Sequence, residues 1–248
     1  MFIDTHCHLS IEDYDDIDKV VKEDIEAGVK KLIVSACTKN TFEEALALAK
    51  KYDSIYVTLG FHPSEVDTTD ADLELLKELL KTDKVVGVGE IGLDYHYGKD
   101  DIDMQKELFE KQLIMAENLN LPVVIHSRDA VNDTIETLKK HNVKGVIHCF
   151  SGSVETADIY IRLGYKLGIG GVVTFKNSNL YKVVEHVGLD NIVLETDSPY
   201  LAPEPFRGKQ NSSKYIPVIA TKIADILNVS LSEVEKMTTK TASNLFDL

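Results

Sequence analysis

Residues 84–90 read KVVGVGE, an almost continuous apolar run that ends on a carboxylate. A strand with one wet face alternates apolar and polar residues, whereas an unbroken apolar run is typical of a strand covered on both faces, as in parallel sheets. Similar runs are MFID from residue 1, KLIVSA from 31, IYVTLG from 55, LPVVIH from 121, KGVIHC from 144, KLGIGG from 166 and NIVLETD from 191. The sequence therefore predicts eight strands.

Helical patterns separate these apolar runs. Residues 12–30 and residues 103–120 each place apolar side chains along one face of a predicted helix. On the first helix these side chains are Val20, Val21, Ile25 and Val29. Eight alternating strand and helix units within 248 residues match the size and period of a (β/α)8 TIM barrel, an α/β fold.

An open, doubly wound sheet is the alternative fold. It would usually carry a glycine-rich phosphate-binding turn after an early strand, and the chain has neither a G-x-G-x-x-G turn there nor a P-loop motif. After the eighth run the sequence continues into further helix, where Ser230 and Glu233 have the spacing of a capping box. Because no linker or change of composition interrupts the chain, we predict one TIM-barrel domain over residues 1–248.

The composition restricts the partners and the compartment. A formal net charge of -14 disfavours broad, non-specific binding to nucleic acid. Cys7, Cys37 and Cys149 are too few and too scattered for a disulfide framework and suit a reducing compartment. Met1 leads directly into FIDTH without the regions of a signal peptide, and no apolar run approaches the roughly 20 residues that cross a bilayer. We expect a cytoplasmic protein without membrane contact or an obligate protein partner.

Histidines and acids collect where the predicted strands end. Five of the eight histidines lie at or just after such ends, namely His6, His8, His62, His126 and His148. Glu90 and Asp197 close two other apolar runs. In a barrel all of these ends surround one mouth, and a charged side chain there needs a partner or a cation. Alone, such a histidine can simply pack and such an acid can cap a helix, but their coincidence at one end predicts a metal site.

The first strand sharpens this prediction. Successive side chains of a strand point to opposite faces, so His6 and His8 point the same way while Cys7 points the other way, as a small apolar side chain rather than a thiolate ligand. Four histidines and two carboxylates exceed the three or four protein ligands of one catalytic ion. We predict two divalent metal ions per subunit that share a carboxylate, with magnesium, manganese, zinc, cobalt and iron as candidates.

Seven short motifs now become recognisable: DTHCHL (4–9), GEIGLDY (89–95), IHSRDA (125–130), HCFSG (148–152), TFKN (174–177), LETDSPYL (194–201) and RGKQN (207–211). In order and spacing they resemble the TatD family of metal-dependent deoxyribonucleases, which are amidohydrolase-like TIM-barrel hydrolases. The resemblance covers essentially the whole chain. Ser213 stands where relatives often carry a proline, a difference that we expect to affect loop stiffness more than chemistry.

The resemblance implies a function and divides the ligands. His6, His8 and Asp197 would hold one ion, His126 and His148 the other, and Glu90 both, with Asp197 and Glu90 as the catalytic residues. It implies a metal-dependent hydrolase that cleaves DNA phosphodiesters with metal-activated water, as a 3'-5' exonuclease on single strands or ends. Some relatives are described as deacylating D-aminoacyl-tRNA, so a deacylase or another ester or amide hydrolase is the alternative.

The loops after the strands supply groups that can contact a DNA substrate. His62, Arg128 and Arg207 are the predicted phosphate contacts, and Lys176 and Lys209 add charge nearby. Arg128 can instead pair with Asp129 or Asp133, and His62 can cap its loop. Bases can stack on the aromatic loop Tyr95, His96 and Tyr97 or on Phe150, Phe175 and Tyr200, unless these rings pack the loops. Because the surface is acidic, we expect short strands or ends to be preferred over long duplex.

Two rival interpretations remain. The same barrel can hydrolyse an amide, ester or lactone, and Glu90 favours phosphodiesters only by resemblance. A barrel that merely stores metal or uses it structurally is the second rival. Structural zinc sites are closed and commonly rich in thiolates, whereas this set consists of imidazoles and carboxylates at the catalytic end of the strands.

Overall fold

The computed structural model describes residues 1–96, 98 and 100–248. These residues form a nearly closed barrel of parallel strands that are neighbours in chain order from the first to the eighth. The strands are β1 (Phe2–Cys7), β2 (Val29–Ala36), β3 (Ile55–Leu59), β4 (Val85–Asp94), β5 (Val123–Arg128), β6 (Gly145–Ile147), β7 (Lys166–Ile169) and β8 (Ile192–Leu194). Each predicted apolar run contains one strand, which confirms the TIM barrel.

Helices follow the strands and form the outer layer. They are α1 (Ile17–Glu26), α2 (Lys39–Lys51), α3 (Asp70–Leu79), α4 (Ile102–Leu119), α5 (Val131–Leu138), α6 (Val154–Arg162), α7 (Leu180–Val187), α8 (Ile216–Leu227) and α9 (Leu231–Phe246). Short 3-10 helices span Gly171–Thr174, Leu189–Asn191 and Ser213–Tyr215. Of the predicted capping box, the structure contains the bond from Ser230, whose Oγ accepts the N–H of Glu233 at 3.1 Å and caps α9.

A separate apolar cluster fills the amino-terminal end of the barrel. Phe246 and Ala242 of α9 pack there against buried strand residues, which are Ile3, Ile33, Val124, Val146 and Val193. The larger core lies between the strands and the surrounding helices. Helix α9 therefore closes one end of the barrel and leaves the other end for polar side chains.

Buried hydrogen bonds join β1 to the segment after β8. The carboxylate of Asp4 accepts from Thr196 Oγ1 at 2.6 Å and from Ser213 Oγ at 2.7 Å. Burial raises the pKa of Asp4 to about 7, although these two hydrogen bonds work in the opposite direction. Ser213 therefore does more than change loop stiffness, because its hydroxyl helps to close the barrel beside the predicted metal ligand His6.

The first predicted helix is too long at its carboxyl end. Helix α1 ends at Glu26, and Val29, which was expected on that helix, begins β2. Gly28 explains the boundary, since its φ of 96° lies in the left-handed region that glycine adopts easily and that commonly ends helices. The apolar spacing of residues 12–30 thus spans a helix, a turn and the start of a strand.

The fourth strand is longer than predicted. It continues past Glu90 to Asp94, and its register against β5 shifts between Val88 and Ile91, as at a β-bulge. Residues 87–92, GVGEIG, carry the glycine spacing of a dinucleotide-binding turn. They lie inside β4 rather than between a strand and a helix, so they do not form a dinucleotide-binding turn.

Among the helices of the described residues, none combines the length and the apolar character that crossing a membrane requires.

Candidate metal centre

The predicted ligands come together at the carboxyl end of the barrel strands. Their donor atoms form overlapping groups within which all atoms lie within 4.8 Å of one another. These groups are His6, His8 and Glu90; His6, His148 and Asp197; and Glu90, His126 and His148. The structure thus brings all the predicted ligands into one cluster, while the ions that they hold stay a prediction.

His6 and His8 point in the same direction at the end of β1. Their Nε2 atoms lie 3.3 Å apart. His8 Nδ1 is 3.1 Å from the carbonyl oxygen of Ser35, and because a carbonyl only accepts, Nδ1 carries a hydrogen. In the neutral ring the lone pair is therefore on Nε2, which faces the site. The buried thiol of Cys7 turns away and donates to the carbonyl of Ile33 at 3.6 Å, as predicted.

Glu90 lies at the centre of the cluster, and its two carboxylate oxygens face different histidines. Oε1 is 2.7 Å from His126 Nδ1 and 3.6 Å from His148 Nε2. Oε2 is 3.5 Å from His6 Nε2 and 3.9 Å from His8 Nε2. Burial alone would raise the pKa of Glu90, but the surrounding imidazoles, His148 first, outweigh burial and hold the pKa well below its usual value. An ionised carboxylate therefore lies between two pairs of imidazoles.

Asp94 is a site residue that strand-end reasoning from Glu90 misses. Its Oδ2 lies 3.1 Å from His126 Nε2, while the other ring nitrogen of His126 faces Glu90. A carboxylate on the distal nitrogen of a metal-binding histidine fixes the tautomer and orientation of the ring. Gln105 holds the strand end, because its Nε2 donates to the carbonyl of Asp94 at 2.9 Å. The signal for Asp94 was the apolar run itself, which continues beyond Glu90.

Glu195 lies beside one ring nitrogen of His148, as Asp94 lies beside one ring nitrogen of His126. It is fully buried, and its Oε1 lies 3.1 Å from His148 Nδ1 and accepts the N–H of Cys149 at 2.6 Å. The contact with His148 has an ion-pair distance without hydrogen-bond alignment, and Oε2 has no hydrogen-bond partner within the described residues. Gly168 of β7 makes room, since a Cβ there would lie 2.0 Å from Oε2. Glu195 therefore supports the His148 ring from the side opposite the cluster.

Asp197 completes the cluster from the segment that follows β8. Its φ of 55° lies in the left-handed region that aspartate tolerates, and its N–H donates to the carbonyl of His6 at 3.0 Å. Oδ1 is 3.5 Å from His8 Nε2 and 3.8 Å from His148 Nε2. The Asp197 side chain is 16% exposed, against 6% for Glu90. Asp197 is therefore the carboxylate of the two that solvent reaches more easily.

The donor set fits divalent ions better than it fits hydrogen bonds. Many distances between donor atoms, from 3.3 to 3.9 Å, exceed the usual hydrogen-bond length. Ligands that each lie about 2.1 Å from one ion are roughly 3–4 Å from each other. Imidazoles with carboxylates suit zinc, manganese or iron and need no thiolate. The residues present therefore fit the predicted divalent ions.

Protonated imidazoles balance the carboxylates when no cation is bound. Burial disfavours the charged form of His148, but Glu195 and other carboxylates outweigh burial and raise the pKa to about 10. Burial acts in the same way on His126, yet hydrogen bonds to Asp94 and Glu90 raise its pKa to about 9. A divalent cation needs deprotonated imidazoles, so we expect metal binding to release protons.

His62, a predicted substrate contact, lies at the rim of the cluster. Its ring centroid is 4.7 Å from that of His126. Nδ1 accepts the backbone N–H of Ser64 at 3.1 Å, so the neutral ring carries its hydrogen on Nε2. Burial lowers the pKa of His62 to about 4. The ring thus caps its loop and keeps one neutral N–H group.

The two predicted arginine contacts lie at the end of β5 and in the segment after β8. Arg128 ends β5 in register with Asp94 and is exposed. Arg207 follows β8, and its guanidinium carbon lies 4.0 Å from the ring centroid of Phe175.

The predicted aromatic contacts separate into packed and exposed rings. The hydroxyl of Tyr95 donates to Asp133 at 2.8 Å, and Phe150 is buried, so these rings pack the loops. Tyr200 is 59% exposed, and its ring centroid lies 6.3 Å from that of His8. Tyr97 lies outside the described residues.

A (β/α)8 barrel with histidines and carboxylates gathered at the carboxyl ends of its strands is the architecture of a metal-dependent hydrolase. The comparison with known families identifies the branch. The model of the TatD related DNase family matches residues 3–247, and the chain belongs to this family.

Relatives along the full chain agree with this identification. YabD of Bacillus subtilis (strain 168), an uncharacterized metal-dependent hydrolase, is 40% identical, and the match covers 99% of both chains. YcfH of Escherichia coli (strain K12), described in the same words, is 35% identical over 99% of this chain and 96% of its own. The crystal structure of the TatD homologue YjjV from Escherichia coli K12 superposes with a TM-score of 0.92 at 33% identity, covering 100% of this chain and 98% of that one. The predicted family is thereby confirmed, and the protein is a metal-dependent hydrolase.

Proposed function

We propose that the protein hydrolyses phosphodiester bonds of DNA with two divalent ions at the strand ends. The observation that carries the two-ion site is the position of Glu90, whose Oε1 faces His126 and His148 and whose Oε2 faces His6 and His8. The choice of DNA phosphodiesters as the substrate rests on membership of the TatD related DNase family. A carboxylate placed in this way can bridge two ions. The family resemblance supplies the division of the ligands: His6, His8 and Asp197 for one ion, His126 and His148 for the other.

The residues of the cluster have separable tasks in this proposal. Two such ions, when bound, would lower the pKa of a water molecule and offset charge on the phosphoryl oxygens. Asp197 accepts the proton of the attacking water, because it is the more exposed carboxylate and its Oδ1 lies within 3.5–3.8 Å of imidazoles from β1 and β6. Asp94 and Glu195 keep the rings of His126 and His148 oriented.

His62, Arg128 and Arg207 bind the phosphate groups of the substrate in this proposal. His62 keeps one neutral N–H group at the rim, which suits a phosphoryl oxygen. An arginine fork grips phosphate through two parallel hydrogen bonds. The net charge of -14 opposes long duplex, so we propose a preference for single strands or ends, with 3'-5' exonuclease polarity taken from the resemblance.

The setting of the enzyme is proposed from the same chain. Cys7, Cys37 and Cys149 are free thiols, which suits the reducing cytoplasm. We propose that residues 1–248 act as one catalytic domain. We propose that it acts without an obligate protein partner, because this chain itself supplies the six candidate ligands.

The test compares bond types on the metal-loaded protein. The substrates are bis(p-nitrophenyl) phosphate, end-labelled single- and double-stranded DNA, an aryl ester and a D-aminoacyl-tRNA. We expect phosphodiester cleavage, and a loss of about 10²–10⁴-fold in Asp197→Asn, because the variant lacks the proton acceptor. Asp190→Asn is the matched control, since this exposed aspartate precedes β8, whereas Asp197 follows it.

Two results would contradict the proposal. Faster turnover of the aryl ester or the D-aminoacyl-tRNA than of any phosphodiester would favour the deacylase alternative. Equal rates for Asp197→Asn and Asp190→Asn would remove Asp197 from the chemistry.

A further inference from the structure

A cavity of about 580 Å³ lies among the loops that follow β6, β7 and β8. Ser151 and Gly152 come from the first loop, residues 172 and 175–180 from the second, and Glu204 and Arg207 from the third. Ser151 is three residues from His148, so the extended chain keeps their Cα atoms within about 11 Å. The cavity, here called the β7–β8 pocket, therefore begins within about 11 Å of the candidate ligand His148, on the same end of the barrel.

Two cationic side chains of this pocket, Arg207 and Lys176, can bind an anion. The guanidinium of Arg207 stacks on Phe175 at 4.0 Å, a cation–π contact that restricts its position. Lys176, the next residue, is exposed and lines the same pocket. Within the described chain neither cation forms an ion pair with a carboxylate, although Glu204 lies in the same wall. Their charges are therefore available to a ligand.

Two other cavities at the mouth have the opposite character. A cavity of about 440 Å³ beside His8 is lined by carboxylates of Glu12, Asp13 and Glu44. A cavity of about 540 Å³ beside His62 is lined by carboxylates of Asp94, Asp100 and Asp101. A polyanion that reaches the metal centre is repelled along those directions and attracted toward the β7–β8 pocket.

We infer that the β7–β8 pocket binds the nucleotide that adjoins the scissile phosphate of a single strand. Arg207 and Lys176 bind the phosphate of this nucleotide, and the side-chain amides of Asn177 and Asn179 can form hydrogen bonds with its sugar or base. The volume lies within the range of roughly 300–1,000 Å³ for small-ligand pockets, and TIM-barrel enzymes frequently bind phosphate with loops after the last two strands. The inference rests on the proposed function, from which it takes the substrate class.

The experiment measures binding separately from cleavage. The probe is a fluorescein-labelled phosphorothioate oligothymidylate of six nucleotides, which resists hydrolysis, and its affinity for the metal-loaded protein is measured by anisotropy at increasing salt. The slope of log K against log salt is negative, and each lost phosphate contact reduces its magnitude by about 0.7 for a single strand. We expect Lys176→Ala/Arg207→Ala to reduce the magnitude of the slope by about 0.7–1.4 and the affinity by about 10-fold.

A matched control removes the same charges elsewhere. Arg162→Ala/Lys222→Ala takes one arginine and one lysine from the outer helices α6 and α8, and we expect the wild-type slope. The inference is overturned if both double variants have the same slope, or if the wild type shows no salt-dependent binding. Cleavage of unmodified DNA is scored separately. Salt-dependent binding at this pocket without turnover would contradict the proposed function alone, and turnover with an unchanged slope would contradict the pocket alone.

Discussion

The two ends of the barrel use the same strands for opposite purposes. At the amino-terminal end, Phe246 and Ala242 of α9 pack against Ile3, Ile33 and Val124 in an entirely apolar cluster. At the carboxyl end, buried imidazoles and carboxylates converge on one centre. Burial of apolar area stabilises the fold, whereas buried charges cost free energy unless they are paired or coordinate a cation. Different residues of this chain therefore provide stability and chemistry.

The largest expected effect is at the centre of the mouth. Glu90→Gln removes the charge that lies between both pairs of imidazoles, and we expect kcat/KM on bis(p-nitrophenyl) phosphate to fall by about 10³–10⁵-fold. Glu136→Gln, on the surface of α5, is the control. A Glu90→Gln protein of equal purity that keeps a tenth of the wild-type rate would show that this end is not catalytic.

The opposite end should give the opposite phenotype. Phe246→Ala leaves a cavity beneath the barrel, and we expect the free energy of unfolding to fall by about 3–5 kcal/mol in urea titrations. The rate per folded molecule should stay at the wild-type value at 25 °C. Leu231→Ala, on the exposed side of the same helix, should cost much less. A large change of kcat in Phe246→Ala would break the separation of the two ends.

A buried carboxylate without imidazole neighbours sharpens the comparison. Asp24 of α1 accepts from Ser212 Oγ at 2.8 Å, and burial raises its pKa from 3.8 to about 6, whereas Glu90 among imidazoles has a lowered pKa. The folded state therefore keeps a proton that the unfolded chain releases, and stability is lost as pH rises from about 4 through 6.

Asp24→Asn should remove this dependence. Between about pH 4 and 6 we expect the free energy of unfolding of the wild type to fall by up to about 3 kcal/mol relative to that of the variant. Urea titrations at pH 4, 5, 6 and 7 measure this difference. Asp225→Asn, an exposed aspartate of α8, is the control and should follow the wild type. Parallel profiles for Asp24→Asn and the wild type would show that Asp24 is ionised throughout.

The smallest expected effect concerns the two orienting carboxylates. Asp94→Asn and Glu195→Gln should each weaken metal affinity by about 10–100-fold, because the rings of His126 and His148 lose the charge that orients them. Gly168→Ala should reproduce the Glu195→Gln effect, since its Cβ would displace the Glu195 carboxylate. Isothermal titration with Mn²⁺ or Zn²⁺ measures the affinity, and wild-type affinity in all three variants would limit these residues to packing.

The sequence permits prediction of the fold because its signal is local. Each strand has an unbroken apolar run, and His6, Glu90, His126 and Asp197 could be assigned to one mouth because parallel strand ends meet there. Boundaries were less predictable, as at Gly28, where a backbone turn rather than a change in hydropathy ends the helix.

Asp94 and Glu195 were missed because their roles depend on other strands. Asp94 meets His126 from the neighbouring strand, and Glu195 meets His148 across the width of β7. Nothing within a single strand distinguishes a carboxylate that holds a metal from one that orients a histidine. The stacking of Arg207 on Phe175 likewise joins loops that follow different strands.

The most direct test of the central claim is a metal titration of the chelated protein, followed by hydrolysis of bis(p-nitrophenyl) phosphate. We expect the metal-free protein to be folded and inactive, since the apolar end of the barrel holds the fold without the ions, and we expect activity to rise until two equivalents of Mn²⁺ or Zn²⁺ are bound. Full activity in the metal-free protein, or saturation at a single equivalent, would contradict a dinuclear centre bridged by Glu90.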